Sequence, residues 1–351
     1  ARGPSQLFAS PSRSAGAPRI SRALVSLPLT HCSVPALQTP TSLGGFGASS
    51  LMNLACNPAV NTIANGAFAG ESDEGEFSGT LSLGYHVNDD LFIFGGYSRG
   101  YKAGGFNTDR SGFAITPATI SPAAVNINQV AFDPEFTDSF ELGFKSTILG
   151  GSTTFNVTAF HQQISDYQLN AFNGFNFITR NIPDVISQGA EIELNSRPTD
   201  NLTLSLGVVY TDAYFDSTVV FNPLNPGPNT VSSGDPLAFS AEWVVTGGIG
   251  YTQPIGDNLQ FSAYLDGRWN SDYRTQTLNR NPISDQDAFA VFNGRLGIGS
   301  QDRRWSLEFW GQNLTDEFYY VGAFSPPLQD GTIVIYPSMP QTYGVTLRAR
   351  Y

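Results

Sequence analysis

Residues 98–107 read SRGYKAGGFN, so Arg99 and Lys102 stand among Tyr101, Phe106, Asn107 and three glycines, directly after the strand-like run LFIFGGY. A glycine-rich stretch behind a strand could cradle a phosphate. The pattern GxxxxGK[ST] is absent, however, and no helical period follows Gly105 to offer an anion the amides of a helix N-terminus. His31, His86 and His161 are scattered without metal-ligand spacing, and HExxH, GxSxG, CxxC and EF-hand signatures are missing. The acid pairs Asp89 with Asp90 and Asp285 with Asp287 fall in turns and loops, where acids are common. No catalytic, metal or cofactor constellation emerges, so an enzyme reading has nothing to rest on. Two readings of SRGYKAGGFN remain: Arg99, Tyr101, Lys102, Phe106 and Asn107 contact a ligand, or the glycines bend the backbone and the side chains anchor it.

The elements around these residues decide what they can serve. From Glu76 to the last residue the chain alternates apolar and polar positions with a period of two. Eleven strands are expected, near 76–88, 91–101, 135–148, 152–168, 185–197, 201–215, 240–253, 258–270, 288–300, 303–314 and 340–351. In NLQFSAYLDGRW, Leu259, Phe261, Ala263, Leu265 and Trp269 share one face, while Asn258, Gln260, Ser262, Asp266 and Arg268 share the other. Residues 1–48 are rich in Pro, Ser, Ala and Arg with no acid and no period, and read as a disordered or spurious leader; residues 49–75 read as an extracellular-loop-like segment.

Composition narrows the class. The chain has 351 residues, with 36 Gly, 26 Phe, 14 Tyr and only 14% charged residues, a profile of strand-forming aromatics and sparse charge. The first 70 residues hold four arginines and no acid, while residues 71–351 hold 14 basic and 30 acidic residues, which argues against nucleic acid as a partner. Cys32 and Cys56 can make one disulfide or remain idle thiols. No apolar run approaches the ~20 residues of a membrane helix, so any membrane span must be built of strands.

The connections supply that membrane. Short turns (88–90, 150–151, 199–200, 254–257, 302–303) alternate with long loops at 102–134, 169–184, 216–239, 271–287 and 315–339. Outer-membrane barrels have tight periplasmic turns on one rim and long extracellular loops on the other. Strands of ~12 residues at ~3.3 Å, tilted about 40°, rise about 30 Å, enough for the apolar band. Aromatics gather near the loop ends (Tyr97, Tyr101, Tyr167, Tyr210, Tyr214, Trp269, Tyr273, Phe318, Tyr319, Tyr320) and near the turn ends (Tyr85, Phe92, Tyr251, Trp305, Tyr351), as two interfacial girdles would require.

Several segments together resemble the TonB-dependent outer-membrane receptors, iron-complex type, over residues from about 55 to 351. They are CNPAVNTIANGAF, YSRGYKAGGFN, FDPEFTDSFELGFKS, NVTAFHQQISDYQ, ISQGAEIELNSRPTDNLTLSLGVVYTDAYF, FWGQNLTDEFYY and the terminal TYGVTLRARY. The resemblance implies an all-β fold: an antiparallel transmembrane β-barrel in the outer membrane of a Gram-negative bacterium. Its eleven strands would represent the C-terminal half of a 22-stranded barrel. It places SRGYKAGGFN where a strand leaves the membrane, with Tyr97, Trp269, Tyr273, Tyr319 and Tyr320 at the rim. In the last strand, Tyr343, Val345, Leu347 and Tyr351 correspond to the row read by the barrel assembly machinery. The family's TonB box and N-terminal plug are not legible.

The resemblance further implies a role in energy-coupled uptake of an iron–siderophore complex or similar scarce nutrient, without covalent chemistry or cofactor. The implied partners are the TonB–ExbB–ExbD system acting through the plug, lipid, lipopolysaccharide and a small nutrient or siderophore ligand. A passive diffusion channel and a surface adhesin or binding module are the alternatives.

Overall fold

Strict alternation over ten or more residues gives each strand one apolar and one polar face, and the chain satisfies its backbone by pairing each such strand with the next. The computed structural model describes residues 6–10, 42–43, 46–47, 71–107, 131–172, 177–221, 230–278, 280–326 and 332–350. Its main element is one antiparallel sheet of twelve strands: β1 (Gln6–Ser10), β2 (Gly79–Asn88), β3 (Leu91–Lys102), β4 (Glu135–Ile148), β5 (Thr153–Phe172), β6 (Phe177–Thr199), β7 (Leu202–Phe215), β8 (Trp243–Ile255), β9 (Leu259–Asn270), β10 (Phe289–Ser300), β11 (Trp305–Gln312) and β12 (Thr342–Ala349). Each strand pairs with its neighbours in sequence order. The eleven expected strands are β2 to β12. Gln6–Ser10, in a segment where no periodic element was expected, pairs with Thr80–Gly84 on the edge of β2. The barrel is not closed: among the described residues β1 and β12 do not pair with each other. Cys32, Cys56 and Tyr351 lie outside the described residues.

Register joins the faces across the sheet. Tyr85, Ile93, Phe144, Val157, Ile192, Val208, Val245, Trp269 and Ala290 are successive cross-strand partners on one face. Leu296, Phe309 and Val345 continue that face to β12. No described residue covers it: Leu142 and Leu347 are 69% and 71% exposed. An aqueous protein would bury such a surface, whereas a bilayer supplies hydrocarbon to it. Ser262, Asp266 and Arg268 of β9 fall on the opposite, inner face, with Glu141, Glu193, Asn293 and Glu308. Tyr343, Val345 and Leu347 lie on the outer face. Arg348 lies on the inner face, 2.7 Å from Glu308.

The turn between β4 and β5 is a tight 3-10 turn, Leu149–Gly151, in which Gly150 and Gly151 take φ of 64° and 93°, values that favour glycine. Two sequence expectations need correction here. Residues 169–172 and 177–184 are not loop, because β5 and β6 run on as paired strands to Phe172 and Phe177. Phe92 does not join a lipid-facing girdle. It faces inward, over the ring of His86 and beside Phe94, filling the space left by Gly84.

Candidate ligand site

The long β5–β6 hairpin carries its side chains well beyond the band where lipid dictates the pattern. Within it Pro183 has no N–H to give the ladder, and the Asp166–Pro183 pair drops out of an otherwise continuous register, Asp166 taking φ of 54°. That irregularity re-aims the strand tips. Below it Ile164 and Val185 face inward; above it Tyr167, Leu169 and Ile182 join them. Ile182, Val185, Phe215 and Val231 are essentially fully buried, and Leu169, Phe221 and Leu278 complete the cluster. The inner face is therefore polar along the sheet and apolar at the loop rim.

The loops lock onto this cluster through backbone bonds. Phe215 donates its amide to the Asp235 carbonyl and Leu237 to that of Ala213, while Phe239 reaches the Arg274 carbonyl at 2.7 Å. Tyr273 and Gln286 exchange two bonds of 2.9 Å, and the Gln286 side chain accepts from the Tyr320 amide at 2.6 Å. Two small hairpins, Val219–Val220 with Thr230–Val231 and Tyr320–Phe324 with Val334–Pro337, complete the frame.

A cavity of about 730 Å3 opens inside the frame. Tyr167, Leu169, Phe215 and Leu278 come from the cluster, Phe239, Phe324 and Tyr336 from loops, and Asn170, Gln276 and Thr277 add neutral polar groups. Size and lining match those of small-molecule sites. Nearby charges are paired outside the lining: Arg274 meets Asp235 at 2.8 Å, and Arg280 bonds Asp285. Burial alone raises the Asp235 carboxyl, but the Arg274 guanidinium and the Ser232 amide outweigh it and hold it below the usual carboxylate range. Burial, then the Glu135 carboxylate, pushes the Tyr167 phenol up, so it stays neutral in the physiological range.

None of the five candidate contacts in SRGYKAGGFN lines this cavity. Arg99 points to the outer face, 2.6 Å from Asp138, which also accepts from the Tyr97 hydroxyl. Tyr101 is on the same face, paired in register with Phe136. Lys102 lies on the other face, opposite Glu135. Phe106 belongs to a short ladder, Gly105–Phe106 with Ala131–Phe132. The Asn107 amide acts as a backbone substitute, donating to the Thr179 carbonyl and accepting from the Thr179 amide. Tyr97 and Trp269 lie on the outer face, whereas Tyr273, Tyr319 and Tyr320 pack at the rim, Tyr319 stacked on Phe289 at 4.2 Å. Asn313 donates to the Glu317 and Met339 carbonyls and accepts from the Glu317 amide, and Asp316 accepts from the Gln341 amide, so these side chains tie the end of β11 both to its own turn and to the segment before β12. Sequence reading missed Phe239, Phe324 and Tyr336 as cavity residues, because loops carry no period to single them out. No group of acids, histidines and cysteines able to hold a metal occurs among the described residues.

Residues 57–314 match the family described as TonB dependent receptor-like, beta-barrel. Among solved structures, the chain is similar to the ferric yersiniabactin uptake receptor FyuA from Yersinia pestis (TM-score 0.61, 18% identity, 81% of this chain and 39% of that one). It is similar also to the siderophore receptor PiuA from Acinetobacter baumannii (TM-score 0.57, 15% identity, 80% and 36%). A third is the copper transporter OprC (TM-score 0.54, 14% identity, 83% and 41%). The chain thus spans about two-fifths of the length of these proteins, and at these identities the likeness is one of fold.

Proposed function

Because the chain belongs to the TonB-dependent receptor-like β-barrel family, whose barrels reside in the Gram-negative outer membrane, we propose that it forms the ligand-capturing barrel portion of a receptor for energy-coupled uptake of a scarce nutrient. The observation that carries this reading is the aromatic cavity framed by the long loops at the outer end of a polar inner face. A ligand held there stands at the head of the route a plug would gate. FyuA and PiuA are receptors for iron chelates and OprC is a copper transporter, which sets the range of nutrients to test first. The partners in this reading are TonB–ExbB–ExbD, working through a plug, and the assembly machinery that reads the aromatic last strand. Lipid and lipopolysaccharide would contact the outer face.

The test is disruption of the encoding gene in its own host, followed by radiolabelled nutrient uptake with and without TonB. Uptake lost on disruption and equally lost without TonB supports the reading. Conductance independent of TonB would instead make the protein a passive channel, and recovery without detergent a surface-binding module.

A further inference from the structure

We infer that the loop cavity takes an uncharged small molecule with a flat aromatic or apolar body and a few hydroxyl or carbonyl groups, and that it rejects anions. The inference rests on the reading of that cavity as the capture site. Among the described residues that line it, none carries a formal charge. Cations on the surrounding strands and loops are partnered: Arg274 with Asp235, Arg280 with Asp285, and Arg180 with the Phe221 carbonyl, its guanidinium 5.7 Å from the Phe221 ring. An anion entering this space would lose water with no cation among the described lining residues to replace it, a penalty that excludes charged ligands from unpaired apolar sites.

What the lining offers is ring surface and neutral polar groups. Phe215 forms a buried floor, and Phe239 and Tyr336 are 58% and 57% exposed at the opening, where they can stack on a flat ligand. The Asn170 and Thr277 side chains make no hydrogen bond among the described residues, and Gln276 uses only its carbonyl oxygen, to Asn281 and Ser284, leaving its NH2 to donate. These handles suit one polar end of a molecule. A polyhydroxylated sugar would leave most of its hydroxyls against apolar wall.

The test uses two probes that share a ring system and differ in charge, 2-naphthol and naphthalene-2-sulfonate. Equilibrium dialysis against the full receptor purified in detergent would measure both, with the Thr277→Trp variant, which fills the cavity, as the blank for micelle partitioning. The expected result is saturable 2-naphthol binding at least about tenfold tighter than the sulfonate, abolished in Thr277→Trp and reversed in favour of the sulfonate in Thr277→Lys. Heat-modifiable gel migration checks that each variant is folded, and Phe239→Ala, expected to weaken 2-naphthol severalfold, serves if one is not. Sulfonate binding as tight as 2-naphthol in the unaltered protein, or 2-naphthol binding unchanged in the folded variants, would overturn the inference. Binding is read without TonB, so failure of the uptake reading leaves this result standing, and failure here leaves uptake untouched.

Discussion

Gln168 does for the rim what SRGYKAGGFN alone cannot. It is buried, and its amide donates to the carbonyls of Ala103 and Asp133 at 2.9 and 3.1 Å while its backbone N–H reaches Glu135 at 2.7 Å. Gln168→Leu removes the two side-chain donations and leaves the Ala103 carbonyl without its partner, while Asp133 keeps that of Asn181 and the backbone bond to Glu135 remains; the change should cost about 1–3 kcal/mol. The exposed Gln163 makes a single bond to Asp184, so Gln163→Leu should change little. Urea titrations followed by gel migration compare the two, and equal shifts would mean that Gln168 is not a clamp. The Asp235–Arg274 pair is a second residue-scale device, joining 232–239 to the loop that supplies Gln276. Its carboxyl is depressed on folding, so the stabilisation is complete above the unfolded value, near ~4, and fades as pH falls through the folded one. The pair is partly exposed and screened. Protease resistance of this loop should stay flat from about pH 8 to 5 and drop below about pH 4, and Asp235→Asn should be weaker at neutral pH and lack that acid limb. These side chains were invisible in the sequence as a group, since their partners lie dozens of residues away and loop positions have no periodic constraint.

The strands themselves were legible because lipid on one side and a polar interior on the other force a period of two, which propensity alone would not. Nine of the eleven expected strands needed only small adjustments at their ends. The other two, which run on into 169–184, are instructive: past the membrane the alternation is no longer required, and Pro183 reads as a breaker although the structure absorbs it as one missing pair in an unbroken register. The missing pair, with Asp166 at positive φ, lies between the residues of the two strands that join the apolar cluster, so the feature that hid the strands also helps to make the site. Face assignment at this scale has a direct test. Leu265 lies mid-strand on the outer face and Ser262 on the inner, so Leu265→Arg should cost ~2 to 4 kcal/mol while Ser262→Arg is far milder. Reversible unfolding from lipid vesicles would show it, and matched costs would mean the faces are misassigned.

At the scale of the molecule, the family was legible from the joint pattern of strands, turns and motifs, whereas the state of the sheet edges required coordinates. Eleven antiparallel strands would bring β2 and β12 together parallel, which bacterial single-chain barrels avoid; β1 restores even parity. That repair is partial, because β1 covers only Thr80–Gly84 of the edge of β2 that faces away from β3, and among the described residues the rest of that edge has no partner and β12 pairs with β11 alone. In hydrocarbon each unpaired backbone group costs several kcal/mol, since no water is there to bond it. We therefore expect those edges to be completed by further strands, whether from a larger receptor or from a second copy. Expressed as these 351 residues only, the protein should aggregate or self-associate in detergent and show no compact, heat-modifiable monomer. It should also fail to restore nutrient uptake to a receptor-deficient strain that has TonB. Supplying strands that pair with β2 and β12, together with a plug, should recover both properties. A monomer that migrates compactly and supports uptake by itself would mean that β1 and β12 close a small barrel, which would favour the passive-channel alternative.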